Sequence, residues 1–420
     1  MSNILVCHAV AKRLPRTPAA VRAHRPSLRW PKRLSPDGST FPFLRVFRMK
    51  SLTLSVLALL FGMSSTTAAP LADRLERASR PSTMAVQMLL TDAQSLGSQL
   101  VMVGESGHIL LRAADGVISQ AQVPVDLLLT AVHFPDPNNG WAVGHDGVIL
   151  HTSDAGKNWS KQLDGSDISK LMLTWAEAEV ARLEKASLAA PDDDALNAKL
   201  DNALFALDDI KAGAESGPSR PLLDVWFRTA EEGWAVGAYG IFVHTRDGGK
   251  SWAYEPSMDN PERLHLNTLL GLASGSLLVA GEGGRLHRSD DGGAHWQPSQ
   301  QLTQASLYNL LQLKSGQILA FGFGGTLLSS LDQGQSWHGL PLPVRASLYG
   351  GTQLADGSVL LAGQGGVLLY SRDGQEFKVW QGESKAPLLS VAALTSDQLA
   401  RIGSNGLQVM PLATLKEQLQ

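Results

Sequence analysis

Four runs of this 420-residue chain place an aspartate in one frame of hydroxyl, glycine and tryptophan: Thr152/Asp154/Gly156/Trp159, Thr245/Asp247/Gly249/Trp252, Ser289/Asp291/Gly293/Trp296 and Ser330/Asp332/Gly334/Trp337. At this spacing the carboxylate accepts hydrogen bonds from the amides of its own turn, the glycine allows the chain to reverse, and the tryptophan covers the hairpin. That is turn chemistry, so Asp154, Asp247, Asp291 and Asp332 are expected to be structural. Groups suited to catalysis are few. Glu105 and Glu282 could serve as the paired carboxylates of a glycoside hydrolase if the fold brought them to one pocket. Five tyrosines in the whole chain, and no arginine-rich motif at a strand start, weigh against that reading. His133, His145 and His151 do not form a metal-ligand spacing. The Gly-x-x-Gly turns lack the following helix and Lys-Ser/Thr of a phosphate loop. The sole cysteine, Cys7, lies near the chain start. No catalytic residue, metal or cofactor is expected.

The elements that carry these turns repeat. WAVGHDGVILHTSDAGKNW at 141–159 recurs as WAVGAYGIFVHTRDGGKSW at 234–252, and shorter copies follow to the C-terminus. The first glycine of each copy falls at Gly104, Gly144, Gly237, Gly281, Gly322, Gly363 and Gly403. One step in this series carries about 50 residues beyond the period of about 41. Seven copies of that length, each readable as four short strands, predict an all-β, seven-bladed β-propeller. In the third copy the strands are expected at Leu223–Phe227, Trp234–Val236, Ile241–Thr245 and from Trp252. The seventh copy lacks an evident fourth strand, so closure is expected to use a strand from residues 70–90.

The chain start reads differently. Residues 1–48 carry ten Lys or Arg against one acid, Asp37, and form a basic leader or an upstream mis-assigned start. Residues 49–69 read as a signal peptide: Arg45, Arg48 and Lys50, an apolar stretch from Leu52 to Met63, and small residues before Pro70. Cleavage near Ala69 predicts a periplasmic or otherwise exported protein, membrane-associated at most through a partner. The remaining chain has 25 bases and 38 acids. That balance argues against nucleic acid as a partner.

The G-W-A-V-G strands at 140–144 and 233–237 and the D-G-G-K-S-W turn at 247–252 resemble the photosystem II stability and assembly factor family, within the wider BNR/Asp-box repeat propellers. The resemblance covers roughly 80–411. It implies an exported, non-enzymatic propeller that binds a membrane-protein intermediate, here as a bacterial relative. The chain is expected to be a monomer. It also implies contact partly through surface arginines. Arg112, Arg246, Arg288 and Arg372 lie near the Asp-box turns, but no family motif maps onto them. The alternative within the Asp-box group is a glycan-binding protein or sialidase-like hydrolase.

The surplus between the second and third copies reads as an α-helical hairpin over 166–217. Ile168, Met172, Trp175, Ala176, Val180 and Leu183 make one apolar stripe; Leu196, Leu200, Ala203, Leu204, Leu207 and Ile210 make the other. As a connection between the outer strand of one blade and the inner strand of the next, it shares a face with the Gly-x-x-Gly hairpins. The variable residues of that face are the partner-binding candidates: Glu105, His145, Tyr239, Glu282, Phe323 and Gln364 in the hairpins, Arg285 just beyond, and Tyr308 and Tyr349 near the rim. Thr130, Asp224, Thr268, Asn309, Gly350 and Ser390 are expected at equivalent inner-strand positions along a polar channel.

Overall fold

The apolar runs that precede each glycine are short, β-rich and buried on both sides, as central strands of stacked sheets must be. In the computed structural model, which describes residues 73–418 except Ser98 and Ser216, they are the second strands of seven antiparallel sheets. Six sheets have four strands and the last has three. The blades span 90–120, 129–163, 222–254, 266–298, 307–339, 348–381 and 388–411, and their strands are called A to D outward from the axis. In blade 3 these strands are Leu222–Phe227, Gly233–Gly237, Phe242–Thr245 and Ala253–Tyr254. The leader and signal segment lie outside the described residues.

Packing between blades closes the ring. Seven buried apolar clusters occur among the described residues, one at each junction between neighbouring blades. The closing cluster joins Leu90, Leu100, Met102 and Leu110 of blade 1 to Ala392, Ala400 and Ile402 of blade 7. At the junction of blades 2 and 3, Trp141 stacks on Phe227 with ring centroids 3.6 Å apart.

The seven leading glycines share one reason. A side chain on Gly104, Gly144, Gly237, Gly281, Gly322, Gly363 or Gly403 would collide with the carbonyl oxygen just before strand A of its own blade. The residue after each glycine donates its N–H to that same oxygen, from 2.8 Å for His145 N to Leu128 O to 3.2 Å for Ser404 N to Pro387 O. The glycine therefore lets strand B approach the entry of strand A closely enough for this bond.

Closure departs from the sequence expectation. Among the described residues no strand from 73–89 pairs with blade 7. Instead Val86, in a short helical turn at Ala85–Gln87, presents its carbonyl against Gly406 of the last B–C turn. In blades 1, 5 and 6 the matching glycines, Gly107, Gly325 and Gly366, meet carbonyls of the following D-to-A connection. Residues before strand A of blade 1 thus take the place of a connection rather than of a strand. The outer edge of blade 7 is covered by a helix at Leu412–Gln418, whose buried Leu412 and Leu415 join the cluster between blades 6 and 7.

The insertion forms two helices, α1 (Gly165–Ala189) and α2 (Asp194–Glu215). Asp164 caps α1 by accepting from Ser166 N at 2.9 Å. Ile168, Met172, Ala176 and Val180 with Leu207 and Ile210 enter the same cluster as Trp141, Leu222 and Trp252, so the hairpin is part of the propeller core. Trp175, expected on the buried stripe, is partly exposed with its edge on the Tyr254 ring, 5.7 Å between centroids. Leu204 is also partly exposed, whereas Leu207 and Ile210 of α2 reach full burial.

Candidate functional site

Two faces follow from this topology. On one, the Asp-box turns meet the A–B turns: Ala155 N donates to Asn138 O and Gly248 N to Glu231 O. Asp154 accepts from Thr152 Oγ1, from the amides of Lys157 and Asn158, and from Asn158 Nδ2. Asp247, Asp291 and Asp332 make the same kind of turn. Hydrogen bonds to the charged form hold all four carboxyls at about 2, against burial at Asp154. Arg246 pairs with Glu255, and Arg288 with Asp290 and the Gln333 carbonyl, on this side.

The other face carries the B–C turns and the hairpin. Gly147 lies against Gly165 at the start of α1, which fixes the insertion beside the blade 2 turn. The first turn position is held by Glu105, His145, Ala238, Glu282, Phe323 and Gln364, and the second by Ser106, Asp146, Tyr239, Gly283, Gly324 and Gly365. Tyr239 therefore stands one position later than the other turn candidates. It adopts φ 58°, in the left-handed region where glycine stands in blades 4 to 6. Ser106 and Asp146 take nearly the same φ in blades 1 and 2, but a bulky residue in that conformation carries a cost of order 1 kcal/mol.

Tyr239 sits in a cluster that spacing alone does not reveal. Its N–H donates to His265 Nδ1 at 3.2 Å, and its ring lies 5.1 Å from the imidazole. The Arg220 guanidinium stands 5.0 Å from the centre of the tyrosine ring. Arg263 lies 5.7 Å from the Phe205 ring of α2. Both arginines converge on one carboxylate, Asp209 of α2, at 2.9 and 2.5 Å. The patch thus shows two open aromatic rings, Tyr239 and Phe205, over two cations sharing one acid. Burial keeps His265 below its ordinary value and so neutral at pH 7, in keeping with its role as acceptor.

The remaining candidates fall into separate places. Glu105 Oε1 accepts from Leu89 N at 3.1 Å, and Glu282 Oε2 accepts from His265 N at 3.2 Å. These are the same bond in blades 1 and 4, each carboxylate tying its turn to the residue before strand A. Beside Glu282, a cleft of about 140 Å³ is lined by Met258, Asn260, Leu264, Arg285 and His287. Arg285 lies 3.8 Å from Glu262 there. Burial lowers His145, in the blade 2 turn. Tyr308 and Tyr349 stack across neighbouring A strands with centroids 5.7 Å apart, and burial pushes Tyr308 up to about 12. Phe323 and Gln364 are exposed in the turns of blades 5 and 6. Among the described residues no group of three or more His, Cys, Asp or Glu forms a metal-binding cluster.

The inner-strand positions need one correction. Each A strand has a bulge after its first residue, at Thr91, Thr130, Leu223, Asn267, Tyr308, Tyr349 and Leu389. Thr130 is therefore a bulge residue, Ala131 is the equivalent of Asp224, and blade 1 contributes Asp92. These residues stitch blades together. Thr130 Oγ1 donates to Leu222 O at 2.8 Å, Leu269 N to Asp224 at 2.9 Å, and Asn267 Nδ2 to Leu307 O at 2.8 Å. Asn309 Nδ2 donates to Tyr349 O at 3.0 Å, while Asp92 accepts from Val132 N at 3.1 Å and Ser390 Oγ at 3.3 Å. Gly350 leaves room for the Leu389 carbonyl of blade 7.

Comparison with known proteins adds the following. Residues 215–299, covering blades 3 and 4, match the family model for Photosynthesis system II assembly factor YCF48. The chain is 27% identical over 218 residues to the Photosystem II assembly lipoprotein Ycf48 of Synechococcus sp. (strain CC9902), half of each protein. It is 51% identical over 39 residues to the chloroplastic Photosystem II stability/assembly factor HCF136 of Arabidopsis thaliana, 9% of this chain and 10% of that one. These alignments span half or less of the curated relatives. A solved structure of YCF48 bound to D1 peptide superposes with a TM-score of 0.53 at 19% identity, covering 78% of this chain and 94% of that one. That likeness shows the propeller fold.

Proposed function

We propose that this chain, a photosystem II assembly factor-like Asp-box propeller, is an exported, non-enzymatic scaffold that holds a segment of a membrane-complex subunit during assembly. The reading rests first on the face built by the B–C turns and the hairpin. There Tyr239 keeps an unfavourable backbone conformation, and its ring lies open beside Arg220. Open aromatic rings next to arginines are the residue types that dominate protein-binding hot spots. The names of the sequence relatives, and the D1 peptide bound to YCF48 in its solved structure, favour a subunit of photosystem II or of a comparable membrane complex as partner. The relative named as a lipoprotein favours export. Among the described residues no helix is long and apolar enough to cross a membrane, so membrane association would come through the partner or through residues before 73.

The two carboxylates that a hydrolase would need are each engaged in a backbone hydrogen bond of the turn. This disfavours the glycosidase alternative, which requires one free acid and one free base or nucleophile. The test is capture from detergent-solubilised host membranes with purified chain. The wild type is expected to recover an integral-membrane subunit, and Tyr239→Gly combined with Arg220→Ala at least tenfold less of it. Equal recovery by that variant would refute this face as the site.

A further inference from the structure

The outward side of α2 is a surface that the propeller leaves largely open, with Arg263 standing 5.7 Å from the Phe205 ring at its edge. α2 buries Leu207 and Ile210. On its opposite side, at helical spacing, lie Ala198, Asp201, Phe205, Asp208 and Ala212, all exposed, with Phe205 71% open and Leu204 beside it 38% open. Single exposed apolar residues need no explanation. Here the ring is centred between two acids one turn away on either side. Alanines two turns away leave the helix flat enough for another helix to approach.

Charge decides what can cover this surface. The span 166–217 holds eleven acids and five bases. Two of the bases are already paired within α1, Lys170 with Asp167 and Arg182 with Glu179. Among the described residues Asp201 and Asp208 form no ion pair. An anionic bilayer surface or a nucleic acid would be repelled. A second copy of the hairpin would bring the same negative charge against itself. A segment carrying Lys or Arg on one side and apolar residues on the other would satisfy both features, its apolar face on Phe205 and Leu204 and its cations on Asp201 and Asp208.

We propose that the outward face of α2 is a docking site for a cationic amphipathic helix of a partner protein. Phe205 borders the turn cluster, with Arg263 5.7 Å from its ring, whereas the acid of that cluster is Asp209; Asp201 and Asp208 lie on this surface, so the charge-reversal variant tests this inference apart from the turn face. The test titrates the purified full chain into a fluorescein-labelled Lys/Leu amphipathic peptide, a scrambled peptide of the same composition and a Glu/Leu version, reading anisotropy. Asp201→Lys/Asp208→Lys and Phe205→Ala are exposed changes, and their thermal melts check that the fold is kept. The wild type is expected to bind the amphipathic cationic peptide, more weakly as salt rises. Binding should fall at least about tenfold in the charge-reversal variant and at least about fivefold in Phe205→Ala. No binding by wild type, equal binding of the scrambled peptide, or variants that bind as wild type would overturn the proposal. So would binding to phosphatidylglycerol vesicles, or a wild-type dimer that Phe205→Ala dissolves, since each assigns the face to another occupant.

Discussion

The Asp224 carboxylate accepts the backbone N–H of Leu269 at 2.9 Å, so an acid of blade 3 is part of the hydrogen bonding of blade 4. Burial, with a smaller push from the charge of Asp92, raises Asp224 to about 7. The two acids thus oppose each other's ionisation inside the ring.

A pH dependence follows. An unfolded aspartate titrates near 3.9, so between about pH 4 and 7 the folded state holds a proton that the unfolded state has lost. The contribution of Asp224 is therefore full at low pH and falls as pH rises through 7. His133 and His287, both lowered to about 4 by burial, act in the opposite sense, their contribution being lost as pH falls from 6.5. The difference between Asp224→Asn and wild type isolates the acid. Thermal melts should show the variant gaining on the wild type as pH rises from 4.5 to 8. Parallel profiles would contradict the assignment.

The glycine rule makes a paired prediction. Gly322→Ala drives its new methyl into the Ser306 carbonyl, whereas Gly339→Ala meets nothing within 4 Å. Urea unfolding should show the first losing about 2–4 kcal/mol and the second changing by less than about 0.5 kcal/mol. Similar losses at both positions would mean that strand geometry, and not the close approach at the strand entry, selects the glycine.

Asp209 ties the second helix of the insertion to the propeller through Arg220 and Arg263. Removing it leaves two neighbouring cations without their shared acid. Asp209→Ala should speed limited proteolysis within 165–215 severalfold while leaving cleavage within the blades unchanged. Each pair contributes on the order of 1 kcal/mol or less at this exposure, so the global melt should shift little. Unchanged proteolysis would show that the apolar base of the hairpin alone fixes it.

Much of this architecture was legible because the repeat is strict. Leading glycines and Asp-box frames fixed blade number, strand order and the two faces, since each is a backbone requirement that one residue type satisfies. Closure was not legible: Val86 supplies a carbonyl to Gly406 without any strand pattern, so no periodicity announces it. The bulge at the start of each A strand shifted Thr130 by one position and hid Asp92, because a bulge leaves no mark in an alternating pattern. Arg220, Arg263 and His265 were missed for a related reason. They lie in irregular D-to-A connections, and only the fold brings them to Tyr239 and Asp209. The available signal was topological: every D-to-A connection returns to the face that carries the B–C turns.

The central claim is that a membrane-complex subunit is held on the turn-and-hairpin face. It is tested most directly by placing a photo-crosslinking amino acid in turn at Tyr239, at Phe323 and, on the Asp-box face, at Gln333, then irradiating the chain with host membranes. The predicted result is a crosslink to one integral-membrane subunit from position 239, weaker or equal from 323, and none from 333. A crosslink from 333 with none from 239 would contradict it.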